Sequence, residues 1–118
     1  MPPERDDLAY LSDMLVAARA VSDFVHGETF ESYLDNLMMR SAVERQVEII
    51  SEAARNVSRA FRDAHDEIEW VGIIARRHVL AHEYGVIKDD LVRHVATMHV
   101  PDLIEIPEAM GIETPEPE

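Results

Sequence analysis

The sequence predicts an all-α fold, an antiparallel bundle of about four main helices plus short helical pieces. Three observations predict it. Apolar residues recur at spacings of three and four along most of the chain, and no run alternates apolar and polar residues as a half-buried strand would. Breakers stand where the periodic stretches begin or stop: Pro2 and Pro3, Gly27, Gly85 and Pro101.

Pro2 and Pro3 open the first helix. Leu8, Leu11, Leu15 and Ala18 follow at spacings of three and four, and Val21, Phe24 and Val25 carry the stripe to a stop at Gly27. Thr29 is placed to cap a short piece, "FESYLDNL". The most regular stripe comes next. Val43, Val47, Ile50, Ala54, Val57 and Phe61 repeat at four, three, four, three, four, while Arg40, Glu44, Arg45, Glu48, Glu52, Arg55, Arg59 and Arg62 take the other faces. That is a bundle helix with a solvated charged side.

Asp66 is placed to cap a third helix that begins near Glu67, carries Ile68, Trp70, Val71, Ile73 and Ile74, and stops at Gly85. Asp89 or Asp90 starts a fourth with Leu91, Val92 and Val95 until Pro101 interrupts it. Leu103, Ile104 and Ile106 supply one or two further apolar turns. Residues 1–108 then form a single domain, and 109–118 an acidic, flexible tail.

Composition narrows the function. A chain of 118 residues buries roughly two-thirds of its unfolded surface, enough for a core without staples. With no cysteine, neither disulfides nor thiolate metal sites are available. The start, "MPPERDDLAY", has charges where a signal peptide needs an apolar run, and no stretch approaches the roughly 18 apolar residues of a membrane span, so a cytoplasmic protein without a membrane partner is expected. The net charge is −13, of which residues 101–118 hold six acids and no base, leaving 18 acids against 11 bases in the first hundred residues. A body of that sign opposes general affinity for nucleic acid, so any RNA contact has to be local.

One stretch runs against the acidic trend. "RRHVLAHEYG", Arg76 to Gly85, holds two arginines, two histidines, a glutamate and a tyrosine. In an unbroken helix Arg77 and Tyr84 lie about 20° apart in azimuth, whereas Arg77 and His82 lie about 140° apart. Arg77 and His82 therefore converge on one small group only if the helix ends near Leu80 or Ala81, or if a second copy of the chain supplies the partner. His78 and His82 have the spacing of two metal ligands, with Glu83 adjacent, but no third ligand is specified by spacing, and no metal is assigned. His26, His65, His94 and His99 have no companions and read as surface or satisfied core residues.

Arg77, four residues, His82, one residue and Tyr84 match the Arg-x4-His-x-Tyr signature of HepT-like proteins of the HEPN superfamily. Three segments, "LSDMLVAARAVSDFVHG", "AVERQVEIISEAARNVS" and the motif-bearing "EWVGIIARRHVLAHEYG", resemble the family's segments in the same order, so the likeness covers about residues 5 to 105. The resemblance implies a HEPN-like fold and the toxin of a toxin–antitoxin pair whose antitoxin is a minimal nucleotidyltransferase. It also implies a metal-independent endoribonuclease, needing no cofactor, that works as a homodimer with two Arg-His motifs in one cleft. By position, the catalytic roles fall on Arg77 and His82, and Tyr84 becomes the acceptor of AMP, whose transfer silences the toxin.

These side chains suit that chemistry. Cleavage of RNA by its own 2′-hydroxyl needs a base, an acid and positive charge on the phosphorane; imidazole titrates near neutral pH and guanidinium binds phosphate oxygens in pairs. Two His82 residues from a dimer can divide acid and base. The chain departs from the family pattern at His78, where asparagine is usual, at Ala75 and Arg76, where glycine and an apolar residue are frequent, and at Glu69, where proline is usual. Arg76 and His78 are accordingly read as supporting residues, Arg76 adding positive charge. The alternative reading is a catalytically inactive helical dimer that serves as an interaction module for the nucleotidyltransferase.

Overall fold

The computed structural model describes residues 5–74 and 100–112. Among these the only regular structure is helix: α1 (Arg5–Val25), α2 (Phe30–Asp35), α3 (Leu37–Asn56), α4 (Arg59–Ala64), a turn of α5 at 70–74, and α6 (Val100–Ala109). The all-α expectation is met. The fourth predicted helix from Asp89 or Asp90, the end of the third at Gly85, and the tail beyond 112 lie outside the described residues.

α1 and α3 form the main pair and run antiparallel, because Asp7 near the start of α1 is bonded to Ser58 just past the end of α3. Their facing stripes are Leu11, Met14, Leu15, Ala18 and Val21 on one helix and Val43, Val47, Ile50 and Ala54 on the other, all fully buried. α6 closes the core with Val100, Leu103 and Pro107, and Arg19 of α1 pairs with Glu108 of α6 at 3.3 Å.

The first predicted stripe needs correction at its ends. Leu8 and Phe24 are exposed, while Met14 and Ala17 are buried in their place. Both misplaced residues stand about 100° from the centre of the buried face, so spacing from the nearest apolar neighbour overstated their reach. Gly27 stops α1 as expected, with φ +76, a value at which glycine has no steric cost.

Thr29 caps α2 as its position predicts, its Oγ1 accepting from the Ser32 N–H at 3.0 Å in a reciprocal capping box. The helix ends earlier than "FESYLDNL" suggests. Asn36 breaks it, and the Asn36 Oδ1 accepts from the Met39 N–H at 3.0 Å, making the same residue the cap of α3.

The stripe from Val43 to Phe61 is buried throughout, yet it is not one helix. The chain turns extended at Val57 (ψ 138), and Ser58 caps the short α4 by accepting from the Phe61 N–H at 3.2 Å. The expected start of the third helix also shifts. Residues 65–69 form a turn that buries Ile68, with the His65 carbonyl accepting from the Ile68 N–H at 3.3 Å, and helix resumes at Trp70 rather than near Glu67. Asp66 stays in the turn, and the Glu69 carbonyl takes the first helical bond, from the Ile73 N–H at 3.0 Å.

α6 ends in a Schellman arrangement: Ile112 N–H donates to the Pro107 carbonyl at 3.1 Å, Gly111 N–H to that of Glu108 at 3.0 Å, and Gly111 has φ +76. Ile112 packs against the core. Pro101 falls within the described range of α6, Val100–Ala109.

Candidate functional site

The chain reaches Arg76 through the turn of α5 at 70–74, so this turn is where the fold meets the sequence motif. Trp70 and Ile73 face inward and Val71 faces out, which gives the turn a defined rotation. Trp70 is 6% exposed, and its Nε1–H donates to the His65 carbonyl at 2.9 Å, satisfying a donor that burial would otherwise strand. Its ring meets Phe61 edge to face, with centroids 6.3 Å apart and planes at 83°. Phe61 in turn stacks on the His65 imidazole, centroids 4.2 Å apart, and the His65 Nδ1 lies 3.4 Å from the Glu67 Oε1. His65 is thus a satisfied, half-buried residue, as its lack of companions suggested.

The motif residues themselves, Arg76, Arg77, His78, His82 and Tyr84, lie outside the described residues. In the sequence Arg77 stands three residues beyond Ile74.

A second feature supports this end of the bundle, and sequence reasoning missed it. Asp7 is 3% exposed, and its two oxygens each accept a hydrogen bond at 2.7 Å, one from the Ser58 N–H and one from the Ser58 hydroxyl. A buried carboxylate needs such partners. The signal was present in the register: Asp7, Leu11, Met14, Ala18, Val21 and Val25 follow at four, three, four, three, four, which sets the acid on the inward stripe.

The described surface carries little unbalanced positive charge. Arg45 lies 3.4 Å from Glu48, Arg55 3.4 Å from Glu52, Arg59 3.8 Å from Asp63 and Arg19 3.3 Å from Glu108. A shallow groove beside the turn of α5 is lined by Arg59, Arg62, Asp63, Asp66, Glu69 and Trp70 among others, and its acids outnumber its bases. Phosphate would gain little there, whereas the chain sets two adjacent cations immediately beyond, at Arg76 and Arg77. Among the described residues no group of three or more His, Cys, Asp or Glu side chains is arranged to hold a metal ion, and no helix is long and apolar enough to cross a membrane.

Comparison with known proteins agrees with the resemblance read from the motif. The family described as Ribonuclease HepT-like matches residues 14–110. A protein of Methanocaldococcus jannaschii named "Putative RNase MJ1380" is 32% identical over 100 residues, covering 85% of this chain and 92% of its own. "Probable ribonuclease HepT" of Thermococcus cleftensis is 33% identical over 81 residues, 69% of this chain and 74% of its own. "Putative RNase TTE0752" of Caldanaerobacter subterraneus subsp. tengcongensis is 29% identical over 94 residues, 80% of this chain and 84% of its own. No solved structure gives a significant match.

Proposed function

The chain belongs to the HepT-like ribonuclease family, and on that premise we propose that it is an endoribonuclease, the toxin of a pair whose antitoxin is a minimal nucleotidyltransferase. The observation that carries the reading is the family match across residues 14–110, which includes the whole Arg-x4-His-x-Tyr motif. The all-α frame and the anchored turn leading into the motif support it.

In this reading two chains form a homodimer and bring their motifs into one cleft. Arg77 binds the scissile phosphate through paired N–H donors, with Arg76 adding charge and His78 a polar contact. One His82 takes the proton of the 2′-hydroxyl as its oxygen bonds to phosphorus. The other protonates the 5′-oxygen as the P–O5′ bond breaks, leaving a 2′,3′-cyclic phosphate. No metal enters these steps.

Silencing follows from Tyr84. Its phenol oxygen bonds to the α-phosphorus of ATP on the nucleotidyltransferase, pyrophosphate leaves, and the resulting AMP ester sets bulk and negative charge where RNA phosphate would lie. The test of the central reading is cleavage of a labelled oligoribonucleotide by the purified chain with EDTA present. Cuts that persist in EDTA and yield cyclic phosphate ends support it. A chain that cuts no RNA, yet binds the nucleotidyltransferase as a dimer, is the inactive interaction module instead.

A further inference from the structure

Three links join the start of α1 to the turn that leads into the motif. Asp7 holds Ser58 by two hydrogen bonds of 2.7 Å. The Ser58 Oγ accepts from the Phe61 N–H at 3.2 Å and so fixes the first turn of α4. Phe61 then meets Trp70 edge to face, and the Trp70 Nε1–H is bonded at 2.9 Å to the carbonyl of His65, the residue that ends α4.

From these links we infer that Trp70 is a positioning residue for the ribonuclease site, with Asp7 as its anchor across the bundle. The inference rests on the ribonuclease reading above. Apolar packing alone is non-directional and does not fix the rotation of a helix start against its neighbours. The indole N–H has one acceptor at one angle, and rotation of the turn away from the His65 carbonyl strands a buried donor. Asp7 adds the same kind of restraint one step back, because moving α4 strands a buried carboxylate. Arg77 follows Ile74 by three positions in the sequence, so this turn is the covalent root of the motif. Catalysis is sensitive to such displacements, with an error of about 1 Å costing on the order of 100-fold.

The test compares Trp70→Phe with Asp7→Asn and with Ile50→Val, a core change on α3 that lowers stability without touching these links. kcat and KM are measured on one oligoribonucleotide at a temperature where circular dichroism shows every variant fully folded. Trp70→Phe is expected to lower kcat about 10- to 100-fold with KM within about twofold, Asp7→Asn to act in the same direction, and Ile50→Val to leave both constants near wild type. Wild-type kcat in Trp70→Phe, or an equal loss in Ile50→Val, overturns the positioning role. A wild-type chain that cleaves no RNA overturns the ribonuclease reading and this inference with it.

Discussion

Ser58 gives both its backbone N–H and its hydroxyl to the carboxylate of Asp7, each at 2.7 Å and 51 residues away in sequence. The pair fixes the antiparallel register of α1 and α3 and satisfies the N–H at the break before α4. Asp7→Ala removes the acceptor and leaves the serine groups partly buried and unmet. A loss of about 1.5–3 kcal/mol is expected, measured as a fall in urea midpoint with unchanged m. A midpoint equal to wild type would mean that the pair adds nothing beyond its geometry.

Burial separates two apolar residues on α3 that hydropathy alone treats alike. Ile50 is fully buried and Met38 is 82% exposed. Ile50→Ala should cost about 2–5 kcal/mol through lost contacts and a cavity, and Met38→Ala should stay within about 0.5 kcal/mol. Thermal melts of the two variants check this, and comparable shifts would contradict the packing described.

Gly111 closes α6 at φ +76, and a Cβ built there meets nothing within 4 Å. The cost of Gly111→Ala is therefore conformational alone, about 1–2 kcal/mol. Gly27, with the same φ and equally open surroundings, should show the same loss. A melt in which either alanine variant equals wild type would show that the terminus relaxes out of the left-handed region.

Arg77→Ala and His82→Ala should each lower RNA cleavage by about 10²–10⁴-fold, the range for loss of a general acid–base group or a phosphate contact, while circular dichroism stays at wild type. Single-turnover rates in EDTA make the comparison. Retained cleavage in both variants would move the chemistry away from the motif.

Tyr84 is tested by intact mass after co-expression with a minimal nucleotidyltransferase and ATP. Wild type should gain whole AMP units and Tyr84→Phe none. A gain in both would place the acceptor on another side chain.

Much of the fold was legible because each local signal had a local cause. The stripe from Val43 to Phe61, the Thr29 cap and the Gly27 stop depend on residues within a turn or two of one another, and all three stand in the structure. The third helix was misplaced for the opposite reason. Asp66 has the chemistry of a cap, but burial of Ile68 and the reach of the Trp70 indole to the His65 carbonyl keep residues 65–69 in a turn. For the site, the motif was legible as a pattern of residue types, and the anchors that lead the chain into it were not.

By itself the sequence determined the helical class, most of the inward faces, the Thr29 cap, the Gly27 stop and the motif that marks the family, because periodicity and spacing record which side of each helix must leave water. Tertiary structure decided that Asp7 meets Ser58, that the long stripe divides at Val57, and that Leu8 and Phe24 stay exposed. These depend on which helix lies opposite at each level of the bundle. The local register sets Asp7 on the inward stripe, but which residue meets it, 51 positions away, is written in neither segment.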